Sequence, residues 1–271
     1  MVWSKEHIVC LEQNFPTLSD TELASVIGKS PNALRIKASR LGINKEITSI
    51  RLELELTSIE KQVIIGGLLG DLSCRISATS IYARLEGGHC ERQKDYMFWK
   101  INLLQRLMFN VGRTAIGAYL YQSRNFKALN EYYTLFYSKG YKSINREILN
   151  LLDDFGLLIW YLDDGSYHKR DHCIYLYTNS FSLEEQNIIS RWFVQKYNIK
   201  PRIIKIRKNI TNKQLDDCYF LRINTSDTKR LLEIFSKFEV PNCMNYKLAR
   251  TNITLHYLNE TRIENPQSIS S

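Results

Sequence analysis

The sequence predicts an α+β protein in which a small all-helical module precedes two similar halves. Three observations carry that prediction. Residues 1 to about 45 hold helix caps and apolar stripes but no alternating run. From about residue 60 onward, helical segments and short alternating segments follow one another in the order α-β-α-β, and that order then recurs. Each copy opens with an apolar helix that ends on an aspartate, Asp71 in the first and Asp164 in the second.

In the leading module, Ser19-Asp20-Thr21-Glu22 is a capping box that opens the second of three short helices, which closes near Gly28. Ser30 caps the third, with Pro31 at its first position, where a missing N–H is harmless. Ala33, Leu34, Ala38 and Leu41 supply its apolar stripe. The run TELASVIGKSPNALRIKASRLGI is similar to a helix-turn-helix, and Asn32, Arg35, Ser39 and Arg40 fall on its exposed face, from which such residues reach base edges or phosphates. A plain three-helix bundle with a solvated basic face fits the same pattern.

Residues 47–56 alternate, with Ile50, Leu52, Leu54 and Leu56 against Arg51, Glu53 and Glu55, as an extended connector does. Thr57-Ser58-Ile59-Glu60 is a second capping box, and the helix behind it carries Val63, Ile64, Ile65, Leu68 and Leu69 up to Asp71. Next come the strand Ile81–Glu86, a helix on Tyr96, Trp99, Leu103 and Leu107, and a strand region in RTAIGAYLYQ. The second copy runs through the helix ending at Asp164, the strand CIYLYTN, a helix opened by Ser182-Leu183-Glu184-Glu185, and strands in PRIIKIR and YFLRIN. Tyr141-Lys142 closes one copy and Tyr246-Lys247 the other. A repeat of about 90 residues is too long for a solenoid unit and points to a duplicated domain with pseudo-twofold symmetry. The expected segments are 1–45 (helical module), 46–60 (linker), 61–152 (first repeat) and 153–271 (second repeat).

Composition narrows the function. A formal charge of +9 over 271 residues favours a polyanionic partner, since each neutralised phosphate releases counterions, although ribosomal and membrane-surface proteins share that balance. The 6 cysteines are scattered, with no C-x-x-C pair, which argues against a zinc ribbon or a disulfide framework and for reduced thiols. The pairs His89-Cys90 and His172-Cys173 are poor zinc sites, because neighbours on a strand face opposite ways. The opening MVWSKEHIVC is no signal peptide, and no apolar stretch approaches the roughly 18 residues of a membrane span. An intracellular protein, in cytoplasm, organelle or phage-infected cell, without a membrane partner is expected.

The segments IIGGLLGDLS (64–73) and LLIWYLDDGS (157–166) resemble the two motifs of the LAGLIDADG homing endonucleases in their two-repeat, single-chain form. FYSKGYKSINREILNLLDDFG, TNSFSLEEQ and VPNCMNYKL extend the resemblance. It implies two pseudo-symmetric αββαββα repeats whose antiparallel sheets form a saddle, acting as a monomer on a double-stranded DNA target in intron homing. The implied reaction is hydrolysis of one phosphodiester per strand across the minor groove, leaving short 3′ overhangs, with Mg²⁺ activating water and stabilising the charged transition state. Asp71 and Asp164 fall on the acidic position of each motif as metal ligands and catalytic residues; Lys142 and Lys247 fall where the family places its peripheral catalytic lysines.

Charge physics supports those roles independently. A carboxylate at a helix C-terminus faces the negative end of the dipole, costing roughly 0.3–1 kcal/mol. Two such groups about 4 Å apart repel by about 4 kcal/mol at an effective dielectric of 20, which a hard divalent cation relieves. Side-by-side packing of the two helices needs small residues, which Gly66 and Gly70 supply on the first; the second has Ile159, Trp160 and Tyr161, so a one-sided seam is expected. Leu72 stands where the motif has glycine, so the first helix end is expected to be shifted or strained, whereas Gly165 suits a left-handed cap. Asp163 reads as a surface or supporting group beside Asp164.

DNA contacts are expected from strand faces. The run Arg191–Lys213 is basic with no acid; within it Lys205 and Arg207 share one strand face, Arg222 and Asn224 alternate likewise in YFLRIN, and Arg84 lies between Tyr82 and Glu86. Solvated sheet surfaces carry the same patterns. Two other functions use such a fold: an intron RNA maturase and a transcription regulator with an inactive nuclease fold. Retention of Asp71, Asp164, Lys142 and Lys247 favours the nuclease over both.

Overall fold

The structure, a computed structural model, describes residues 3–18, 20–43, 54–78, 80–206 and 218–250. Two compact units divide the chain: Met1–Glu55 with Asn125–Ala128, and Leu56–Arg124 with Leu129–Ser271. No described helix is long and apolar enough to cross a membrane.

In the first unit lie α1 (Lys5–Asn14), α2 (Asp20–Ile27) and α3 (Pro31–Arg40). Ser4 opens α1 by accepting from the His7 N–H, and Ser30 opens α3 by accepting from Ala33, with Pro31 in the first turn as expected. The α2–α3 turn passes through Gly28 at φ +68°, a left-handed position that suits glycine. Leu11, Phe15, Leu23, Ile27, Leu34 and Ala38 form the core; Leu41, expected in the apolar stripe, is instead exposed where α3 ends. Ser19 of the anticipated capping box lies outside the described residues, as does most of the alternating connector.

The second unit holds both repeats. The first runs α4 (Ser58–Leu69), β1 (Ser73–Ile76), β2 (Ala83–His89), α5 (Lys94–Leu103), β3 (Asn110–Arg113), β4 (Tyr119–Gln122) and α6 (Asn130–Tyr137). After the short helix α7 (Arg146–Leu151) the plan repeats as α8 (Asp154–Asp164), β5 (Gly165–His168), β6 (Cys173–Leu176), α9 (Leu183–Tyr197), β7 (Arg202–Lys205), β8 (Tyr219–Ile223) and α10 (Thr225–Ser236). Each half makes an antiparallel four-stranded sheet, in the orders β1-β2-β4-β3 and β5-β6-β8-β7. The αββαββα duplication is thus present strand for strand. Thr57–Glu60 caps α4 and Ser182–Glu185 caps α9 by reciprocal capping boxes, as their sequences require.

Helices α4 and α8 are buried over most of their length, consistent with apolar residues all round. They pack directly on one another, and glycines set the approach. A β-carbon on Gly66 would overlap the Gly156 carbonyl oxygen, and one on Gly70 would lie 2.5 Å from the β-carbon of Asp163. The seam is therefore not one-sided: Gly156, one turn before the bulky Ile159–Tyr161 stretch, supplies the small residue of α8.

The two helix ends differ. Helix α4 stops at Leu69; Gly70 is the cap, at φ −104°, and the Leu72 N–H turns back to the Gly67 carbonyl at 2.7 Å while its side chain is buried against Gly67. The substitution of leucine for glycine thus draws the chain inward after Asp71. Helix α8 continues through Asp164, and its cap Gly165 has φ −89° and extended backbone rather than the expected left-handed one. Glycine is needed there for space, because a β-carbon would run into the Tyr161 ring.

Gly66→Ala should destabilise the protein by about 1–3 kcal/mol in chemical denaturation, through overpacking of the seam. Gly112→Ala, where a β-carbon meets nothing within 4 Å, should be close to neutral. Equal effects would mean that the seam is not tight.

Candidate active site

Asp71 and Asp164 come together where α4 and α8 end. Burial, and next the negative charge of Asp163, push the Asp71 carboxyl up to about 6. Burial, and next the charge of Asp71, push that of Asp164 up to about 7. The Asp71 charge of one repeat thus disfavours ionisation of Asp164 in the other, and Asp163 disfavours that of both.

Lys142 and Lys247 occupy equivalent posts. Nζ of Lys142 donates to the carbonyls of Gly70 (3.1 Å) and Leu72 (2.8 Å), on either side of Asp71. Nζ of Lys247 donates to the carbonyls of Leu162 (2.6 Å) and Asp163 (3.0 Å), just before Asp164. Each ammonium therefore binds backbone acceptors at its own repeat's helix end, where the dipole favours a cation. Burial lowers the pKa of both, against the pull of Asp163, Asp164 and Asp71. Neither lysine removes the upward shifts of the acids. Two carboxylates that resist ionisation, with hard oxygen donors, fit a hard divalent cation.

One half carries an additional network that sequence reasoning missed. Asp163, expected as a surface or a supporting group, is the latter, buried in the seam against Gly70. Its Oδ1 accepts from Tyr96 Oη (2.8 Å) and Lys100 Nζ (2.7 Å), and its Oδ2 from the Asp71 backbone N–H at 3.3 Å. Burial works against the Lys100 charge, but Asp163, together with Tyr121 and Asp71, offsets it and holds that ammonium above its usual range. His89 lies beside this network, its Nδ1 3.7 Å from Asp71 Oδ2; burial drives it down to about 4, so it stays neutral near pH 7. Ligand atoms of Asp71, His89 and Asp163 lie within 4.8 Å of one another. Asp163 is nevertheless engaged by three donors, so the cluster holds Asp71 in place rather than forming a separate cation site. The available signal was Lys100 itself, four residues after Tyr96 on the buried side of α5, a charge that needs a partner.

The expected DNA-contacting residues divide. In the first sheet Arg84 and Arg75 are paired in register and both reach Glu86, Arg84 at 2.7 Å and Arg75 at 3.3 Å. In the second, Arg222 lies opposite Arg202 and Tyr175 on the face away from the core residues Ile174, Leu176, Leu221 and Ile223. Lys205 pairs with Tyr219 and takes the opposite parity, so it does not share that face with Arg222. Asn224 is not a strand residue: its side chain caps α10 by accepting from the Asp227 N–H. Arg207 lies outside the described residues. In the first unit Asn32, Arg35 and Arg40 are exposed, with Arg35 bound to Asp20 at 2.6 Å.

Residues 61–231 match the model of the LAGLIDADG DNA endonuclease family. "Probable intron-encoded DNA endonuclease 3" of Mycosarcoma maydis is 30% identical over 140 residues, which is 50% of this chain and 96% of that protein. "Protein RecA" of Mycobacterium gastri is 32% identical over 118 residues, 42% of this chain but only 28% of that protein. Among solved structures, the homing endonuclease I-WcaI bound to its DNA recognition sequence superimposes with a TM-score of 0.59 at 18% identity, over 72% of this chain and 88% of that one.

Lys100→Met should cost about 3–5 kcal/mol of stability by stranding Asp163, and Asp163→Asn added to it should recover a large part of the loss. Simple additivity of the two would refute a coupled pair. The acids predict a pH dependence. A carboxyl with a raised folded pKa stabilises the fold while protonated; that contribution is complete below the unfolded value near 4 and is lost as pH rises through about 6 and 7. In metal-free thermal melts Asp164→Asn should therefore gain on the wild type by about 1–3 kcal/mol between pH 4 and pH 8. A constant difference across that range would contradict the shifted carboxyl.

Proposed function

The chain belongs to the LAGLIDADG DNA endonuclease family, and on that premise we propose that it is a site-specific double-strand DNA endonuclease that hydrolyses one phosphodiester in each strand with a divalent metal, Mg²⁺. The observation that carries the proposal is the pairing of Asp71 and Asp164 at adjacent helix ends, each beside a lysine bound to its own helix's terminal carbonyls. A divalent cation bound to the two carboxylates supplies Lewis acidity toward the phosphoryl oxygens and the attacking water. Asp71 and Asp164 would hold it, one acid from each repeat. Lys142 and Lys247 keep positive charge beside the acids and offset the negative charge that grows on phosphorus. The Asp163–Lys100 pair holds the Asp71 backbone from across the seam, compensating for the inward turn at Leu72.

Binding energy comes from outside this centre. The sheets present Arg75 and Arg84 on one side and Arg202 and Arg222 on the other. The leading module acts as a helix-turn-helix, with Asn32, Arg35 and Arg40 toward DNA; the Asp20–Arg35 pair exchanges for a phosphate contact.

On a duplex carrying the insertion site of its own gene, the wild type should cut both strands with Mg²⁺ and stop with chelator. Asp71→Asn and Asp164→Asn should each lower single-turnover cleavage by about 100-fold or more, with binding retained in Ca²⁺, and Lys142→Met and Lys247→Met should slow cleavage by about 10–100-fold. Cleavage by Asp164→Asn at the wild-type rate would end the proposal. Removing residues 1–45 should weaken binding at raised salt while leaving the saturated cleavage rate intact; unchanged affinity would remove that module from DNA recognition.

A further inference from the structure

The two sheets offer opposite chemistry on their open faces. On the first, register places Ser73, Glu86, Gln122 and Asn110 in one row, with Arg75 beside Arg84, and Leu120 between Gly88 and Gly112. Apart from Leu120, these are hydrogen-bonding groups or glycines. On the second sheet the row Ser166, Tyr175, Arg222, Arg202 is followed by Tyr177, Phe220 and Ile204. His168, Tyr175, Tyr177 and Phe220 form one ring cluster, with centroid separations of 4.2 Å (His168–Tyr175), 5.2 Å (Tyr175–Phe220) and 5.8 Å (Tyr177–Phe220). Tyr177 is 40% exposed, and Tyr175 and Phe220 are half-buried. Among the described strand residues of those two rows there is no carboxylate, Asp164 standing at the helix end of the second row where its carbonyl accepts from the Tyr177 N–H, and Arg202 and Arg222 flank the rings. The cluster is therefore an apolar patch framed by cations, and the strand that begins the sheet follows Asp164 directly.

Resting on the endonuclease reading, we propose that the second sheet recognises its half of the duplex by apolar contact of Tyr175, Tyr177 and Phe220 with thymine C5-methyl groups in the major groove, while the first sheet reads its half by hydrogen bonds. Arg202 and Arg222 attract the phosphates, and the thymine methyl is the apolar group the major groove offers to rings that lose water on docking. Asn110, Gln122 and the arginines of the first sheet have the donors and acceptors that adenine and guanine edges match. The rings are tilted by 31–48° to one another, and Tyr175 and Tyr177 meet edge to face at 87°. They wedge each other instead of presenting the parallel plates on which successive unpaired bases stack.

The test uses the full chain and a duplex selected by it from a randomised library, with binding measured in Ca²⁺. Replacing thymidine by deoxyuridine, position by position, removes only the methyl. The expected result is a run of positions, confined to one half-site, where each replacement weakens binding by about fourfold, the equivalent of one buried methyl. That sensitivity should vanish in Phe220→Ala and in the more exposed Tyr177→Ser, and persist in Gln122→Ala. Uracil sensitivity that is absent, equal in both half-sites, or unchanged in both aromatic variants would overturn the proposal, as would preferential capture of single-stranded RNA. Selection that enriches no duplex at all would instead remove the endonuclease reading on which the proposal rests.

Discussion

The structure depends on how closely α4 and α8 approach. Gly66 against Gly156, and Gly70 against Asp163, let two otherwise apolar helices meet backbone to backbone. Because these helices end on Asp71 and Asp164, the packing that buries their apolar sides also brings two negative charges together at the negative ends of two dipoles. The hydrophobic gain of the seam holds this unfavourable arrangement in place. Strain of this electrostatic kind is what a bound cation would relieve, so under the proposed function the same contact serves both stability and chemistry.

Symmetry of plan does not extend to symmetry of detail. The second repeat has Gly165 after its acid and a helix that runs through it; the first is capped already at Gly70, before its acid, and has Leu72 after it, folded back over Gly67. Across the seam, Asp163 accepts from the Asp71 N–H and is itself neutralised by Lys100. The extra carboxylate has a cost, visible in the raised pKa of both neighbouring acids, and Lys100 is buried to limit it. A single irregularity in one motif is thus matched by three buried polar residues, Tyr96, Lys100 and Asp163, drawn from both repeats.

Local chemistry was legible in the sequence and spatial relations less so. The capping boxes at Thr57–Glu60 and Ser182–Glu185 and the cap at Ser30 depend on neighbours three residues apart, and all are present. Strands β1 and β5 carry only SCRI and GSYH, four residues each, too short to alternate, and pairing with β2 and β6 defines them. Alternation placed Lys205 on one strand face, but which face stays open is decided by the helices packed on the sheet, and there Ile204 opposite Phe220 takes the open side. Asn224 continued an alternating pattern past the strand end, where a cap to α10 claims its side chain. For Asp163 the sequence left a surface and a supporting place open for the same reason: only the partner helix, with Gly70 at the crossing, makes that position buried.

The central claim is that two acids from separate repeats are forced together by the helix seam. Carboxyl-carbon NMR of Asp71 and Asp164, titrated with pH in the intact chain, tests it most directly. Midpoints near 6 and near 7 without metal, both moving down on addition of Mg²⁺, are predicted. Midpoints near 4 for both, indifferent to Mg²⁺, would contradict the account.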